Sequence, residues 1–252
     1  MKRYITKITA LLLFVTTIFI LFVLPGCSCN GSKDEEWGGY FTVSFYDDRT
    51  TAYITGLTEL GQQQKSIVIP KEIDGAAVVT LGEKTPMWEP TLKEWHSDNL
   101  EKIYVTRFIK ILYGTFDNCP NLTKAISVYG GSGIDVPYYT SVYFANEVYL
   151  SIHSSQINDW GRANVSYLHN YYSEENYGYY WVDDCEYGSK IEYVPEDPAR
   201  EGYTFGGWYK DPECINAWNF EMDTLPAEKT EINENGEEEE IYQETRLYAK
   251  WE

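Results

Sequence analysis

Leu100, Ile103 and Val105 recur as Leu122, Ala125 and Ser127, a shift of 22 residues within a chain of 252. A repeat of that length has room for one short strand and a return segment. Such a unit cannot bury its own apolar face, so neighbouring units must stack and each adds one strand to a curved sheet. An earlier segment, SIVIPKEIDGAAVVTLGE, has the same character, with β-type runs at 67–69 and 78–81 on either side of a turn at Asp74-Gly75. Before it, Tyr40, Thr42, Ser44 and Tyr46 alternate with Phe41, Val43 and Phe45. The polar break Asp47-Asp48-Arg49-Thr50 follows, and Ala52, Tyr53 and Ile54 resume the pattern. Period-two alternation about a polar break is the signal of a hairpin.

The stretch IVIPKEIDGAAVVTLG and the pattern FDNCPNL resemble the BspA-type leucine-rich repeats of bacterial surface proteins. The resemblance implies a short solenoid of about three repeats, near the minimum for a continuous core, so both ends need caps. The preceding hairpin and the following domain are the expected caps. Thr106 stands where that pattern has a proline, and its unit is one residue short. Residues 83–99 read as an insertion, and the third unit degrades after Val128 into Gly130-Gly131-Ser132-Gly133.

The last fifth of the chain, PAREGYTFGGWYKDPECINAWNF…RLYAKW, orders glycines and aromatics in a way that chance composition does not give. With VSYLHNYY and YGYYWVDDCEYGSKIEYV before it, it reads as about four strands. It resembles the Listeria–Bacteroides repeat, the B-repeat module of internalin-like surface proteins, which implies a small β-grasp-like domain used for interaction and display. A domain that small needs large side chains for its core. Tyr203, Phe205, Trp208, Trp218, Phe220, Tyr248 and Trp251 are expected to supply it, and Gly206-Gly207 to form a bulge. The connection between Phe220 and Leu247 is longer than in that family and carries four consecutive glutamates, 237–240, expected to form a solvated loop. The expected fold class is mainly β: a hairpin cap and short leucine-rich-repeat solenoid over 37–160, then the B-repeat domain over 161–252.

At the N-terminus, Lys2, Arg3 and Lys7 precede an apolar run over 8–24 that ends in Leu24-Pro25-Gly26-Cys27. This arrangement resembles a bacterial lipobox. The resemblance implies a signal peptide over 1–26, acylation of Cys27, and a polar tether over 27–36. A plain membrane-spanning helix is the alternative, since the apolar run is about long enough to cross a bilayer. The expected location is the cell membrane, lipid-anchored on the extracytoplasmic side. Cleavage before Cys27 would remove three basic residues and no acidic one, taking the formal net charge from −19 to −22. Such a surface does not attract nucleic acid.

No catalytic constellation stands out. Asp47-Asp48 and Asp183-Asp184 are adjacent carboxylates, which point to opposite faces of a strand and read as turn residues or solvated strand edges. Gly130-Gly131-Ser132-Gly133 lacks nucleophile-elbow spacing. His96, His153 and His169 have no metal-ligand spacing, so no catalytic residue, metal site or cofactor is expected. Of the remaining cysteines, Cys185 and Cys214 could bridge, although separate thiols are preferred. Tyr171, Tyr172, Tyr177, Tyr179, Tyr180 and Trp181 form an aromatic cluster that suits either packing or contact with a partner. Strand alternation puts Tyr179 and Trp181 on one face, the candidate ligand-facing pair, and Tyr180 on the other. The expected function is non-catalytic interaction or adhesion at the cell surface through a protein or glycan ligand. The alternative is carbohydrate binding by exposed Tyr and Trp.

Overall fold

The computed structural model describes residues 34–82, 95–106, 109–112, 114–128, 136–137, 139–147, 160–172 and 177–252. The expected signal peptide, Cys27, most of the tether, the glycine-rich stretch at 130–133 and most of the insertion lie outside them. The chain is mainly β. It begins with an antiparallel meander, β1 (Glu35–Trp37), β2 (Phe41–Phe45) and β3 (Thr51–Leu57). The β2–β3 turn is the polar break of the sequence: Arg49 takes φ 51°, and the Asp48 carboxylate accepts the Thr50 backbone N–H at 3.0 Å.

After a 3₁₀ turn at Gly61–Gln63 the chain winds between two sheets. β4 (Ser66–Ile69) enters the second sheet, while β5 (Glu72–Ile73) and β6 (Ala76–Leu81) return to the first. β7 (Lys102–Val105) goes to the second, β8 (Lys110–Ile111) to the first, and β9 (Lys124–Ser127), β10 (Ser141–Phe144) and β11 (Trp160–Arg162) to the second. Asp74 and Gly75, at φ 50° and 81°, make the β5–β6 turn; two successive left-handed residues are what a tight Asp-Gly hairpin requires. β6 lies parallel to β3, extending the meander into the wound body.

The second sheet is wholly parallel, in the order β11-β10-β9-β7-β4. The 22-residue shift sets its central register, with Lys102, Ile103, Tyr104 and Val105 opposite Lys124, Ala125, Ile126 and Ser127. Alternation then sorts the side chains. Ile67, Ile69, Ile103, Val105, Ala125, Val142 and Phe144 turn inward and are buried against Ile54, Val78, Leu81 and Leu100. Trp95 and Phe116 close this core edge-to-face at 5.1 Å. Thr106 donates its hydroxyl to the Ile69 carbonyl at 2.6 Å, and Thr140 does the same to the Leu122 carbonyl at 2.7 Å. These hydroxyls satisfy backbone acceptors at the strand ends.

The third sheet holds β12 (Val165–Leu168), β13 (Tyr179–Asp183), β14 (Phe205–Tyr209) and, after the exposed hairpin of β15 (Thr230–Ile232) and β16 (Glu238–Glu240), β17 (Thr245–Trp251). Its order is β13-β12-β17-β14, with the central pair parallel and both flanks antiparallel. The pairing slips between Phe205 and Trp208, where Gly207 has φ 104°, so the expected bulge is present. Two expectations fail here. The glutamate run is a strand rather than a loop, because Asn233 Oδ1 accepts the N–H groups of Asn235 and Glu237 and Gly236 takes φ 78°, building a hairpin turn. Tyr203 is exposed rather than core, with the Arg200 guanidinium 3.9 Å over its ring. Trp208 is buried as expected, but Tyr167, Val165, Leu247 and Ala249 complete that core. The boundary expected between 160 and 161 falls inside β11, which pairs along β10.

Candidate functional site

The outward face of the parallel sheet carries Lys102 and Tyr104 on β7, and Lys124 and Ile126 on β9. In an isolated sheet that face would meet solvent. Here the end of β13 lies over it. Lys102 Nζ donates to Asp183 Oδ1 at 2.8 Å, Lys124 Nζ to Asp184 Oδ2 at 2.5 Å, and Tyr104 Oη to Asp183 Oδ2 at 2.9 Å. Asp183 is 1% exposed and also accepts the Asp184 backbone N–H at 2.8 Å. A buried carboxylate with three donors is satisfied, which is the condition for tolerating its desolvation.

The reading of Asp183-Asp184 as solvated or turn carboxylates is therefore corrected. Asp183 ends β13 and Asp184 lies just beyond it, where strand alternation no longer applies, so both reach toward the same sheet. Burial pushes the Asp184 carboxyl above its ordinary value, opposed by the Lys124 ammonium. Burial also pushes the Tyr104 phenol and Cys185 thiol far up, with Asp183 adding to both. These groups stay protonated at neutral pH and supply neither a general base nor a thiolate nucleophile.

Above the clamp, Trp181 and Tyr193 stack over Tyr104, with ring centroids 5.0 and 4.8 Å from it. Tyr180 packs against Trp208 at 5.9 Å and His169 at 5.2 Å, and gives its hydroxyl to the Glu196 carbonyl. The β12–β13 pairing slips here, two steps of β13 (Tyr179 to Trp181) standing against one of β12. Simple alternation is interrupted at Tyr180, and both Tyr180 and Trp181 pack against the third-sheet core. Tyr179 is not ligand-facing. It is 1% exposed, packed into the core of the two-sheet body, with its hydroxyl on the Glu147 carboxylate. The face of β13 read as open to a partner meets the chain's own parallel sheet. Trp181 keeps one side open.

That side lines a groove of about 840 Å³. Its floor is Val68, Tyr104 and Ile126, one from each of β4, β7 and β9; one wall is the β1–β2 turn with Trp37 and Tyr40. The other wall is formed by Trp181, Tyr193 and Glu196. The lining is mostly apolar and aromatic, with Lys71 and Glu196 the lysine and acidic residue on it. Among the described residues no cluster of three or more His, Cys, Asp or Glu could hold a metal ion. Cys119, Cys185 and Cys214 are free thiols.

The sequence reading missed Lys102, Lys124 and Tyr104 as site residues. The 22-residue shift does place Lys102 and Lys124 in register on one outward face, but outward lysines on a strand are ordinarily solvated, so the sequence carried no signal for the aspartates that meet them.

Residues 171–233 match the Listeria–Bacteroides repeat domain family, a narrower span than the 161–252 expected. It contains β13, which carries the clamp, and β14, the two edges of the third sheet, together with β15 of the exposed hairpin. Two proteins of Evansella cellulosilytica, provisionally named a Gly-rich membrane protein and a membrane protein, are each 38% identical over 69 residues. That is 27% of this chain, but 6% of the first relative and 8% of the second, so the similarity is to one module of much longer proteins. No solved structure matches the chain. Among the described residues no helix is long and apolar enough to cross a membrane; the apolar run over 8–24 lies outside them.

Proposed function

We propose that this chain is a non-catalytic surface protein, anchored through lipid on Cys27 on the extracytoplasmic side of the membrane, that captures a protein ligand in the groove between its parallel sheet and its repeat domain. The observation that carries the reading is the groove itself, an apolar and aromatic cleft of about 840 Å³. Its two walls come from distant parts of the sequence, and the buried lysine–aspartate clamp holds the Trp181 wall to the floor. Aromatic side chains around an apolar floor are the composition of protein interaction surfaces. The repeat match and the membrane-protein names of the relatives agree with a surface location. On this reading the parallel sheet is a short leucine-rich-repeat solenoid. It is supported by the 22-residue register and by inward Ile67, Ile103 and Ala125 in successive strands. The third sheet is a B-repeat domain of β-grasp type.

A sugar-binding role has less support. Each stacked aromatic pair among the described residues buries one ring, Phe41, Tyr104 or Trp208, and so offers no open two-ring platform. Two measurements test the proposal. Metabolic labelling with a radioactive fatty acid should mark the wild-type chain and not Cys27→Ala; equal labelling would remove the anchor. An array of extracellular-matrix proteins and glycans probed with the chain should give saturable binding to a protein spot. Binding confined to glycans would replace the protein reading with the carbohydrate one.

A further inference from the structure

β4 is the outermost strand of the parallel sheet, paired with β7 and with no other strand among the described residues. Successive residues of a parallel strand direct their backbone groups alternately to either side. Lys65 O accepts the N–H groups of Glu101 and Lys102, and Ile69 O accepts the Thr106 hydroxyl. The register Ser66↔Lys102 and Val68↔Tyr104 then turns Ile67 toward β7 as well. Ser66 and Val68 therefore direct both N–H and C=O away from the sheet, and both residues line the groove. A pair of donor–acceptor sites two residues apart along an extended strand is the pattern that another polypeptide backbone satisfies. Proteins blunt exposed edges with prolines, charges or a covering element. This edge has Lys65 and Pro70 at its ends, while its middle opens onto an apolar cleft beneath Trp37, Tyr40 and Tyr193.

We propose that the groove binds its protein partner by strand addition: an extended peptide segment pairs with Ser66 and Val68, becomes a sixth strand of the parallel sheet beside β4, and sets alternate apolar side chains next to Val68 at the Trp37–Tyr40 side of the groove. The proposal rests on the protein-capture reading above and names how capture occurs. The occupant continues the hydrogen-bond ladder already running from β11 to β4. The net charge of −19 favours a segment with basic residues at the positions facing solvent.

The probe is a phage-displayed library of random twelve-residue peptides, selected on the full chain, with enriched peptides then synthesised. Enriched sequences should alternate apolar and basic residues and should slow amide exchange at Ser66 and Val68. N-methylation at alternate peptide positions should weaken binding at least tenfold, and methylation at the intervening positions should not. On the protein side, Val68→Pro removes an outward N–H and leaves the β7 ladder intact, because proline is tolerated on an edge strand with its nitrogen facing outward. It should lose peptide binding at least tenfold with an unchanged melting temperature. Should that variant unfold, the N-methyl scan decides alone, since it leaves the protein untouched. Peptides that bind with no protection of Ser66 and Val68, insensitivity to N-methylation, or a β4-dependent dimer in their place would overturn strand addition. A matrix-protein signal on the array together with any of those results would leave protein capture standing and remove strand addition alone.

Discussion

Asp183 is held inside the protein by Lys102 and Tyr104, and removing either charged partner leaves the other desolvated. Loss of one member of a buried pair costs about 3–5 kcal/mol, so Lys102→Met should lower the urea midpoint strongly. Asp184 behaves differently. Its folded-state carboxyl lies above the ordinary value of 3.8 because burial outweighs the Lys124 contact. In the window just above pH 3.8 the folded chain therefore binds more protons than the unfolded one. The stability contribution of Asp184 falls as pH rises through that window and returns on acidification. Asp184→Asn should remove that slope from a plot of unfolding free energy against pH; an unchanged slope contradicts the assignment. Cys119, wholly buried, has its thiol pushed up to about 11 by desolvation. It should resist iodoacetamide at pH 8 until the chain is unfolded, whereas labelling in the native state would place it nearer solvent. At this scale the sequence was informative about alternation and silent about what each face meets. The alternation read for Tyr179, Tyr180 and Trp181 is broken by a bulge at Tyr180, and the partner of Tyr179 is the chain itself, with Glu147 32 positions away, a contact that no local pattern encodes.

Among the elements, turns were the most legible because their chemistry is local. Asp74-Gly75 and the break at 47–50 form where read, since left-handed φ values and side-chain-to-backbone bonds need only near neighbours. The glutamate run failed as a loop for the same reason: its turn residues, Asn233 to Gly236, outweighed the like charges of 237–240 in setting a hairpin. Two glycines separate conformational from steric demand. Gly75 has φ 81° and open space where a Cβ would stand, so Gly75→Ala should cost only the left-handed penalty, about 1–2 kcal/mol. At Gly61 a Cβ would sit 2.2 Å from the Tyr40 carbonyl oxygen, so the backbone itself must move. Gly61→Ala should destabilise by more than Gly75→Ala and shift the Tyr40 wall of the groove, readable as a change in ligand affinity. Equal midpoints in chemical denaturation for the two variants would contradict the packing described.

For the whole molecule, the lysine–aspartate clamp and the shared packing of Tyr179, Val182 and Trp181 join the two-sheet body to the third sheet. The sequence divided these regions by composition and could not show that β11 and β13 tie them together. The groove depends on that union, because its floor belongs to one region and its Trp181–Tyr193 wall to the other. The most direct test of this account is ligand binding by a variant that fills the cleft without breaking the clamp. Glu196 lines the groove with its side chain exposed, and its backbone carbonyl, not its side chain, accepts the Tyr180 hydroxyl. Glu196→Trp should abolish saturable binding to the protein ligand found on the array while retaining the wild-type melting temperature and the Asp184-linked pH profile. Wild-type affinity in that variant, with the fold intact, would place the binding surface elsewhere and contradict the central claim.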